Sequence, residues 1–278
     1  MHRLLLSLAV AVAGLAVPVP ASASDVTPAS AGLCRFGNQW VISGDWDGNG
    51  GDGIGVVDDT ADGLEWFLRN DPGSGATDFH FKFGAKGDMP LVGDWDGKNG
   101  DGIAVARWAN KKLQWQLRNT LSAGAPDASF SYGSDIDLPV VGDWDGKNGD
   151  SIGAWHLSGN KIEWSLRNSA NAGAPTTIFS FGAKGDRAEV GDWDGKSGDG
   201  IGTSHRGTGM DWILRDKASA GSPGKSFTFG DGKTDCTLTG DWDGDGVDSV
   251  GIVRNQSGRE WQLRNALSAG APDYTFKY

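Results

Sequence analysis

A motif that recurs at a fixed spacing constrains this chain more than any other feature. GDWDG occurs five times, and each copy starts 49 residues after the previous one, at Gly44, Gly93, Gly142, Gly191 and Gly240. A period near 50 indicates supersecondary units that are stacked in a line or arranged in a circle. The architecture of the repeat therefore has to be settled before any local feature is interpreted.

Each repeat predicts four short β-strands. Trp164 and Leu166 alternate with Ser165 and Arg167, which is typical of a strand with one buried face. In the third repeat, apolar runs separated by turn-rich segments lie at Leu138–Trp144, Ser151–Leu157, Lys161–Arg167 and Thr177–Phe181. Four strands per 40–50 residues is typical of a propeller blade. We therefore predict an all-β, five-bladed β-propeller with four antiparallel strands per blade.

A linear solenoid is the competing architecture. Solenoids need atypical polar repeats that cover their ends, whereas the fifth repeat here is as complete as the others. Closure into a ring leaves no open sheet at either end. We expect a ring in which Trp40–Trp46 supplies the first strand of blade 1.

The first 23 residues predict a secretory signal peptide. A basic start is followed by an apolar run from Leu4 to Val19 and by Ala21-Ser22-Ala23, a typical cleavage site. A membrane anchor is the alternative, but prolines interrupt a run that is shorter than the roughly 20 apolar residues of a span. We expect a secreted, extracellular protein without a membrane span, with a leader at 24–33 and one propeller at 34–278.

The two cysteines, Cys34 and Cys236, favour one disulfide in an oxidising compartment, with two free thiols as the alternative. Cys34 precedes the first predicted strand of blade 1, and Cys236 precedes the equivalent strand of blade 5. These blades are neighbours in a closed ring, so the disulfide would join the first blade to the last.

The repeats resemble a known family. Phe83-Gly84, Gly87-Asp88-Met89-Pro90 and Gly93-Asp94-Trp95-Asp96-Gly97 are similar to the FG-GAP repeat of integrin-type and secreted bacterial VCBS-like propellers. The resemblance covers residues 36–278. It implies a propeller with calcium-binding loops between the first two strands of a blade, in proteins that act in adhesion, in lectin-like modules or as appendages of secreted enzymes.

The resemblance implies calcium ligands at alternate loop positions, counted here from the aspartate after the first glycine. Calcium prefers six to eight oxygen ligands. We predict sites in two blades only: blade 5 offers Asp241, Asp243, Asp245, the carbonyl of Val247 and Asp248, and blade 1 offers Asp45, Asp47, Asn49, the carbonyl of Gly51 and Asp52.

Lysine replaces the fifth-position ligand in the three middle loops. Lys98, Lys147 and Lys196 cannot bind a cation. We predict that each ammonium group lies among the aspartates of its loop, for example Asp94, Asp96 and Asp101 in blade 2. The alternative is that these lysines point to solvent.

The thirteen tryptophans include two repeated sets. One set lies on a strand, where core packing is expected: Trp66, Trp115, Trp164, Trp212 and Trp261. The other borders the loops and is either structural or a platform for sugar rings: Trp46, Trp95, Trp144, Trp193 and Trp242. Trp40, Trp108 and Trp155 depart from the repeat and are expected to be exposed. The repeated arginines are expected to pair with aspartates inside the protein: Arg69, Arg118, Arg167, Arg215 and Arg264.

The composition and the internal symmetry of the chain limit the classes of function that it can have. A net charge of −11 argues against non-specific nucleic-acid binding. Catalysis needs one distinct acid, base or nucleophile, and near-identical repeats suit repeated binding better. The few acidic candidates outside the repeat are Glu65, Glu163, Glu189 and Glu260. We predict a non-catalytic, multivalent, lectin-like module for glycans, at the loop tryptophans and at Trp108 and Trp155. A protein-binding or adhesion scaffold for a cell-surface protein is the alternative, and a glycoside hydrolase is a third.

Overall fold

The computed structural model describes residues 33–98, 100–147, 149–196, 198–255 and 258–278. The predicted signal peptide and the leader up to residue 32 lie outside these residues. The described residues form five antiparallel sheets and contain no helix, which confirms the all-β prediction. They likewise contain no long apolar helix of the kind that crosses a membrane.

Each sheet is one blade, and its strands follow chain order from the centre outwards. Blade 1 contains β1 (Cys34–Phe36), β2 (Gln39–Gly44), β3 (Gly53–Thr60), β4 (Gly63–Arg69) and β5 (Phe79–Lys82). Blade 2 contains β6 (Met89–Gly93), β7 (Gly102–Ala109), β8 (Lys112–Arg118) and β9 (Ala128–Ser134). Blade 3 contains β10 (Leu138–Gly142), β11 (Ser151–Ser158), β12 (Lys161–Arg167) and β13 (Thr177–Ala183). Blade 4 contains β14 (Asp186–Gly191), β15 (Gly200–Arg206), β16 (Met210–Arg215) and β17 (Lys225–Thr228), and blade 5 contains β18 (Asp235–Gly240), β19 (Ser249–Asn255), β20 (Arg259–Arg264) and β21 (Tyr274–Lys277).

The five innermost strands close a ring. β2 contacts β6, β6 contacts β10, β10 contacts β14, β14 contacts β18, and β18 contacts β2. A linear stack of repeats would leave the first and last sheets apart. The contact between β18 and β2 therefore confirms the five-bladed propeller and excludes the solenoid.

The tryptophans on the third full strand of each blade form the core. All five are fully buried, and each stacks on a phenylalanine of the next strand with ring centroids 6.0–6.5 Å apart. In blade 3 the Trp164 indole donates a hydrogen bond to the Phe181 carbonyl oxygen at 2.8 Å. The Trp–x–Leu pattern thus encodes blade packing, as expected.

A repeated hydrogen-bond pair holds each blade to the next. The eighth-position aspartate of one loop donates its backbone N–H to the carbonyl oxygen of the first-position aspartate in the preceding blade, and its carboxylate accepts the N–H of that same residue. For Asp150 and Asp94 the two distances are 2.6 and 2.9 Å. Asp52 and Asp241 make the same pair between blades 1 and 5, at 2.6 and 3.1 Å. We call these five pairs the interblade clasps.

The clasps explain why a glycine ends each innermost strand. A Cβ atom on Gly142 would lie 2.6 Å from Oδ2 of Asp199 and 2.8 Å from the Trp144 ring. A Cβ atom on Gly191 would lie 2.8 Å from Oδ2 of Asp248. Both separations are shorter than a non-bonded contact allows. The first glycine of GDWDG therefore leaves room for a carboxylate of the next blade.

The predicted disulfide is confirmed. Cys34 and Cys236 are bonded, with Cα atoms 5.4 Å apart and a sequence separation of 202. Cys34 lies on β1, a three-residue strand that the sequence did not indicate. β1 pairs with the free edge of β2, which faces the centre of the ring. The disulfide thus joins blades 1 and 5 and is buried in the hydrophobic cluster that the two blades share.

Candidate functional site

The loop after each innermost strand folds around its first aspartate. In blade 5 the Asp241 carboxylate accepts the backbone N–H groups of Gly244, Asp245 and Gly246 at 2.7–3.2 Å. Asp45 makes the same three contacts in blade 1. An aspartate that accepts several backbone N–H groups fixes a tight turn. The turn then directs the third and fifth side chains of the loop to one side.

The blade 5 loop brings three predicted metal ligands together. Oxygen atoms of Asp241, Asp243 and Asp245 lie within 4.8 Å of one another. Desolvation and the negative charges of Asp245 and Asp241 raise the pKa of Asp243. Asn265 donates its amide N–H to Asp243 at 2.7 Å. A group that consists only of carboxylate oxygens fits the ligand preference of calcium.

The remaining blade 5 candidates lie beside this group. Oδ2 of Asp248 accepts the N–H of Asp192 in blade 4 at 2.7 Å, as part of a clasp. The Val247 carbonyl oxygen lies 3.5 Å from the Ser249 hydroxyl. Asp248 is therefore turned towards the channel, while Asp241, Asp243 and Asp245 form a separate cluster, which we call the blade 5 acidic cluster.

The blade 1 loop offers fewer charges in the same turn. Asp47 accepts the N–H of Asn49 at 3.2 Å, and the Asn49 side-chain oxygen accepts the N–H of Gly51 at 2.8 Å. Oδ2 of Asp52 belongs to the clasp with blade 5. Asp45 and Asp47 are thus the two carboxylates that this loop presents beside Asn49.

The lysines of the middle loops form surface ion pairs. Each ammonium group lies 3.0–4.0 Å from the third-position aspartate of its loop, in the pairs Lys98–Asp96, Lys147–Asp145 and Lys196–Asp194. The lysine side chains are 69–78% exposed. Each lysine therefore pairs with one aspartate at the surface and does not lie among the three aspartates of its loop.

The loop tryptophans pack beneath their own loops. Trp46, Trp193 and Trp242 are at most 5% exposed, and Trp95 and Trp144 are half-buried. Each indole N–H donates to the backbone carbonyl oxygen eight residues later, at 3.1–3.3 Å. Stacking on a sugar needs a free ring face, and the three buried rings have none.

The prediction for the tryptophans outside the repeat is wrong for two of three. Trp40 and Trp155 are 1% and 5% exposed, because both are packed in the hydrophobic core. Trp108 is 38% exposed, as expected, and donates its indole N–H to the Asp137 carbonyl oxygen at 2.7 Å. Ile136 and Leu157, which are also exposed, lie on the same end of the propeller.

The main partners of the repeated arginines are backbone carbonyl oxygens, and Arg69 also forms the expected kind of ion pair, 3.8 Å from Asp71. Arg118 donates to the carbonyl oxygens of Ser122, Ala123 and Ala125 at 2.6–3.2 Å. Each of the other four arginines donates to the carbonyl oxygen seven residues later in the same way. The arginines therefore shape the loop between the third and fourth full strands of each blade.

A cleft of about 550 Å³ lies between blades 5 and 1, and we call it the seam cleft. Asn49 and Asp243 of the two predicted metal loops line it. Its other side chains include Asp71, Pro72 and Tyr274. The seam cleft therefore combines an aromatic ring with carboxylate and amide groups beside the blade 5 acidic cluster.

Tyr274 was not singled out from the sequence, although a signal was present. The residue at its position differs in every blade: Phe79, Ala128, Thr177, Lys225 and Tyr274. In blade 4, Lys225 donates to the Trp193 carbonyl oxygen and to Asp216 at 2.7 and 3.1 Å. A position that varies within an otherwise regular repeat distinguishes one blade interface from the others.

The chain matches no protein-family model, and a search of curated proteins also finds no match.

Proposed function

We propose that this protein is a secreted, non-catalytic module that binds glycans in the seam cleft, with calcium held by the loop of blade 5. The observation that carries the proposal is the composition of the cleft. Tyr274 and Pro72 offer apolar surface, while Asn49, Asp71 and Asp243 offer hydrogen-bonding groups. Pockets with apolar walls and a few convergent polar groups are typical binding sites.

The chemistry of sugars fits this composition. The apolar face of a pyranose stacks on an aromatic ring, and its hydroxyl groups pair with carboxylates and amides. Asp243 both lines the seam cleft and belongs to the group of three carboxylates. A calcium ion on this group would fix the wall of the cleft. The site is single, because the cleft depends on residues that differ between blades.

The positions of three of the four acidic candidates outside the repeat support a non-catalytic role. Glycoside hydrolases place two carboxyl groups across one cleft, about 5–10 Å apart. Glu65, Glu163 and Glu260 lie on three different blades. Glu65 contacts His80 at 2.8 Å, and Glu163 lies 3.8 Å from His156. These acids are therefore surface partners on separate blades.

Replacing Tyr274 with alanine is expected to weaken glycan binding at least tenfold, because an aromatic anchor dominates such a site. A glycan array with calcium identifies the sugar, and calorimetry with wild type and Tyr274→Ala measures the loss. Lys225→Ala, at the equivalent position of blade 4, is the matched control and should bind as wild type does. Equal losses in both variants, or an array without any signal, would contradict the proposal.

Calorimetric titration with calcium is expected to show one site, or two if the blade 1 loop also binds. Asp243→Asn should remove the blade 5 site, because it removes one of three carboxylates from the group. Asp96→Asn changes the same position in blade 2, where Lys98 occupies the fifth position, and should leave the titration unchanged. Five equivalent sites would refute this assignment.

A protein-binding scaffold is the second candidate function. Three large apolar residues are exposed at the end of the propeller opposite the GDWDG loops: Trp108, Ile136 and Leu157. Exposed apolar patches often mark protein interfaces. Blank glycan arrays, together with a purified extracellular partner whose binding is lost in Ile136→Asp, would favour this role.

A further inference from the structure

The loop of blade 1 contains an Asn-Gly step at the surface. Asn49 and Gly50 are both exposed, and a Cβ atom on Gly50 would meet no atom within 4 Å. An asparagine side chain can react with the backbone nitrogen of the next residue to form a five-membered imide ring. Glycine obstructs this reaction least, because it has no Cβ atom. The surroundings of Gly50 therefore leave room for the ring to form.

The backbone of Gly51 holds the side-chain amide of Asn49. Its N–H group donates to Oδ1 of Asn49 at 2.8 Å, which folds the amide back over the backbone that follows it. Negative charge develops on Oδ1 when a nucleophile adds to the amide carbon, and a donor about 3 Å away stabilises that charge. The Gly51 N–H group is thus placed as an oxyanion donor for attack on Asn49.

The carboxylate of Asp45 contacts the attacking nitrogen. Its Oδ2 atom accepts the N–H of Gly50 at 2.9 Å. A general base has to lie within hydrogen-bond reach of the proton that it removes. Oδ1 of the same carboxylate accepts the N–H groups of Gly48 and Asn49 at 2.8 and 3.1 Å, which fixes its orientation. The loop therefore places a nucleophile, a base and an oxyanion donor around one amide.

The glycines of two other Asn-Gly steps have crowded surroundings. These steps are Asn99-Gly100 in blade 2 and Asn148-Gly149 in blade 3. A Cβ atom on Gly100 would lie 3.1 Å from the Gly48 nitrogen, and one on Gly149 would lie 2.8 Å from the Gly97 nitrogen. Both glycines thus pack against the backbone of the preceding blade. This packing restrains the peptide that has to rotate during the attack.

We propose that Asn49 deamidates spontaneously in the folded protein. The Gly50 nitrogen attacks Cγ of Asn49, its proton passes to Asp45, and the Gly51 N–H stabilises the negative charge on Oδ1. The bond between Cγ and Nδ2 then breaks, and ammonia leaves with the proton that Asp45 held. Water opens the imide: its addition to the side-chain carbonyl gives aspartate, and its addition to the backbone carbonyl gives isoaspartate.

The aspartate product gives blade 1 the loop sequence of blade 5. DWDGNG at 45–50 becomes DWDGDG, the sequence at 241–246. In blade 5, Asp245 accepts the N–H of Val247 at 2.9 Å, as Asn49 accepts that of Gly51 in blade 1. Asn49 also lines the seam cleft, so the reaction replaces an amide with a carboxylate in its wall. The reaction itself needs neither calcium nor a glycan, so its test is independent of the proposed function.

Peptide mapping by mass spectrometry, after incubation at neutral pH with a calcium chelator, tests the proposal. In the native protein Asn49 is expected to deamidate about tenfold or more faster than Asn99 and Asn148, because Gly50 is unobstructed and the reacting groups around it are already positioned. In the chain unfolded by urea the three rates should be equal, because all three steps are Asn-Gly. The rate at Asn49 should be higher in the native protein than in urea.

Two variants at one position test the oxyanion donor. Gly51→Pro removes the N–H group that contacts Oδ1 of Asn49, and Gly51→Ala keeps it. A Cβ atom on Gly51 would lie 3.4 Å from Oδ1 of Asn49, which is an ordinary contact. Gly51→Pro is expected to lose the native rate advantage of Asn49, whereas Gly51→Ala should keep it.

Three outcomes would overturn the proposal. These are a native rate at Asn49 that does not exceed its rate in urea, a native rate at Asn49 no higher than those at Asn99 and Asn148, and an unchanged native rate in Gly51→Pro. Thermal unfolding shows whether each variant is folded. If Gly51→Pro fails to fold, the comparison of native and urea-unfolded wild type decides the result.

Discussion

Replacing both Cys34 and Cys236 with alanine is expected to lower the free energy of unfolding by about 5 kcal/mol. The disulfide closes a loop with a sequence separation of 202 residues, and the loss of loop entropy in the unfolded chain grows with loop length. For a domain of this size the change corresponds to a fall in Tm of about 10–20 °C. Urea unfolding followed by tryptophan fluorescence measures it.

The reduced wild-type protein is the control for this variant. Reductant should lower the stability of wild type towards that of the double variant, and it should leave the variant unchanged. The far-ultraviolet circular dichroism of the folded variant should match wild type, because β2 and β18 remain in contact and the clasp between Asp52 and Asp241 remains. Equal unfolding midpoints for oxidised and reduced wild type would show that the disulfide does not stabilise the ring.

The fold was predictable because every blade repeats the same sequence pattern. A period of 49 residues set the number of blades, and the alternation of Trp164 and Leu166 set a strand face that is indeed buried. The predicted strand at Leu138–Trp144 ends two residues earlier, at Gly142. Trp144 leaves the strand because its indole N–H turns back to the Ile152 carbonyl oxygen at 3.1 Å.

The short strand β1 escaped prediction for a physical reason. Three residues, Cys34–Phe36, carry no detectable period, and their partner is the inner edge of β2. Only closure of the ring creates that environment. The disulfide could be predicted from the sequence, because it required only that the first and last blades be neighbours.

The candidate sites were predictable only where they lie within one loop. Asp241, Asp243 and Asp245 are close in sequence and come together in the structure. The seam cleft joins Asn49 with Tyr274, which lie at opposite ends of the chain, so no local pattern reveals it. Eighth-position aspartates were expected to bind metal with their own loops, whereas their Oδ2 atoms bind the neighbouring blade through the clasps.

The stability of the propeller is expected to fall as the pH rises from about 4 to about 7, in the presence of a calcium chelator. Burial raises the pKa of Asp150 to about 7, and the negative charges of Asp94, Asp143 and Asp248 add to this, while the backbone hydrogen bond from Asp94 opposes it. A carboxyl group with a raised pKa binds more protons in the folded state than in the unfolded state, so folding is favoured below the folded pKa. The rise of the Asp150 pKa from its ordinary value of 3.8 to about 7 corresponds to about 4 kcal/mol of folding free energy that is lost when Asp150 ionises.

The variant Asp150→Asn tests how much the charge of the Asp150 carboxylate contributes to this pH dependence. The asparagine oxygen can still accept the N–H of Asp94 that Asp150 accepts at 2.9 Å, but the side chain carries no charge. The variant is therefore expected to be more stable than wild type at pH 8 and similar to it at pH 4, which flattens the pH profile of the unfolding free energy. Asp62→Asn, whose side chain is 84% exposed in wild type, is the control and should follow the wild-type profile. Parallel profiles for Asp150→Asn and wild type would show that Asp150 is not the group that titrates, because removing its charge would then leave the pH dependence of folding unchanged.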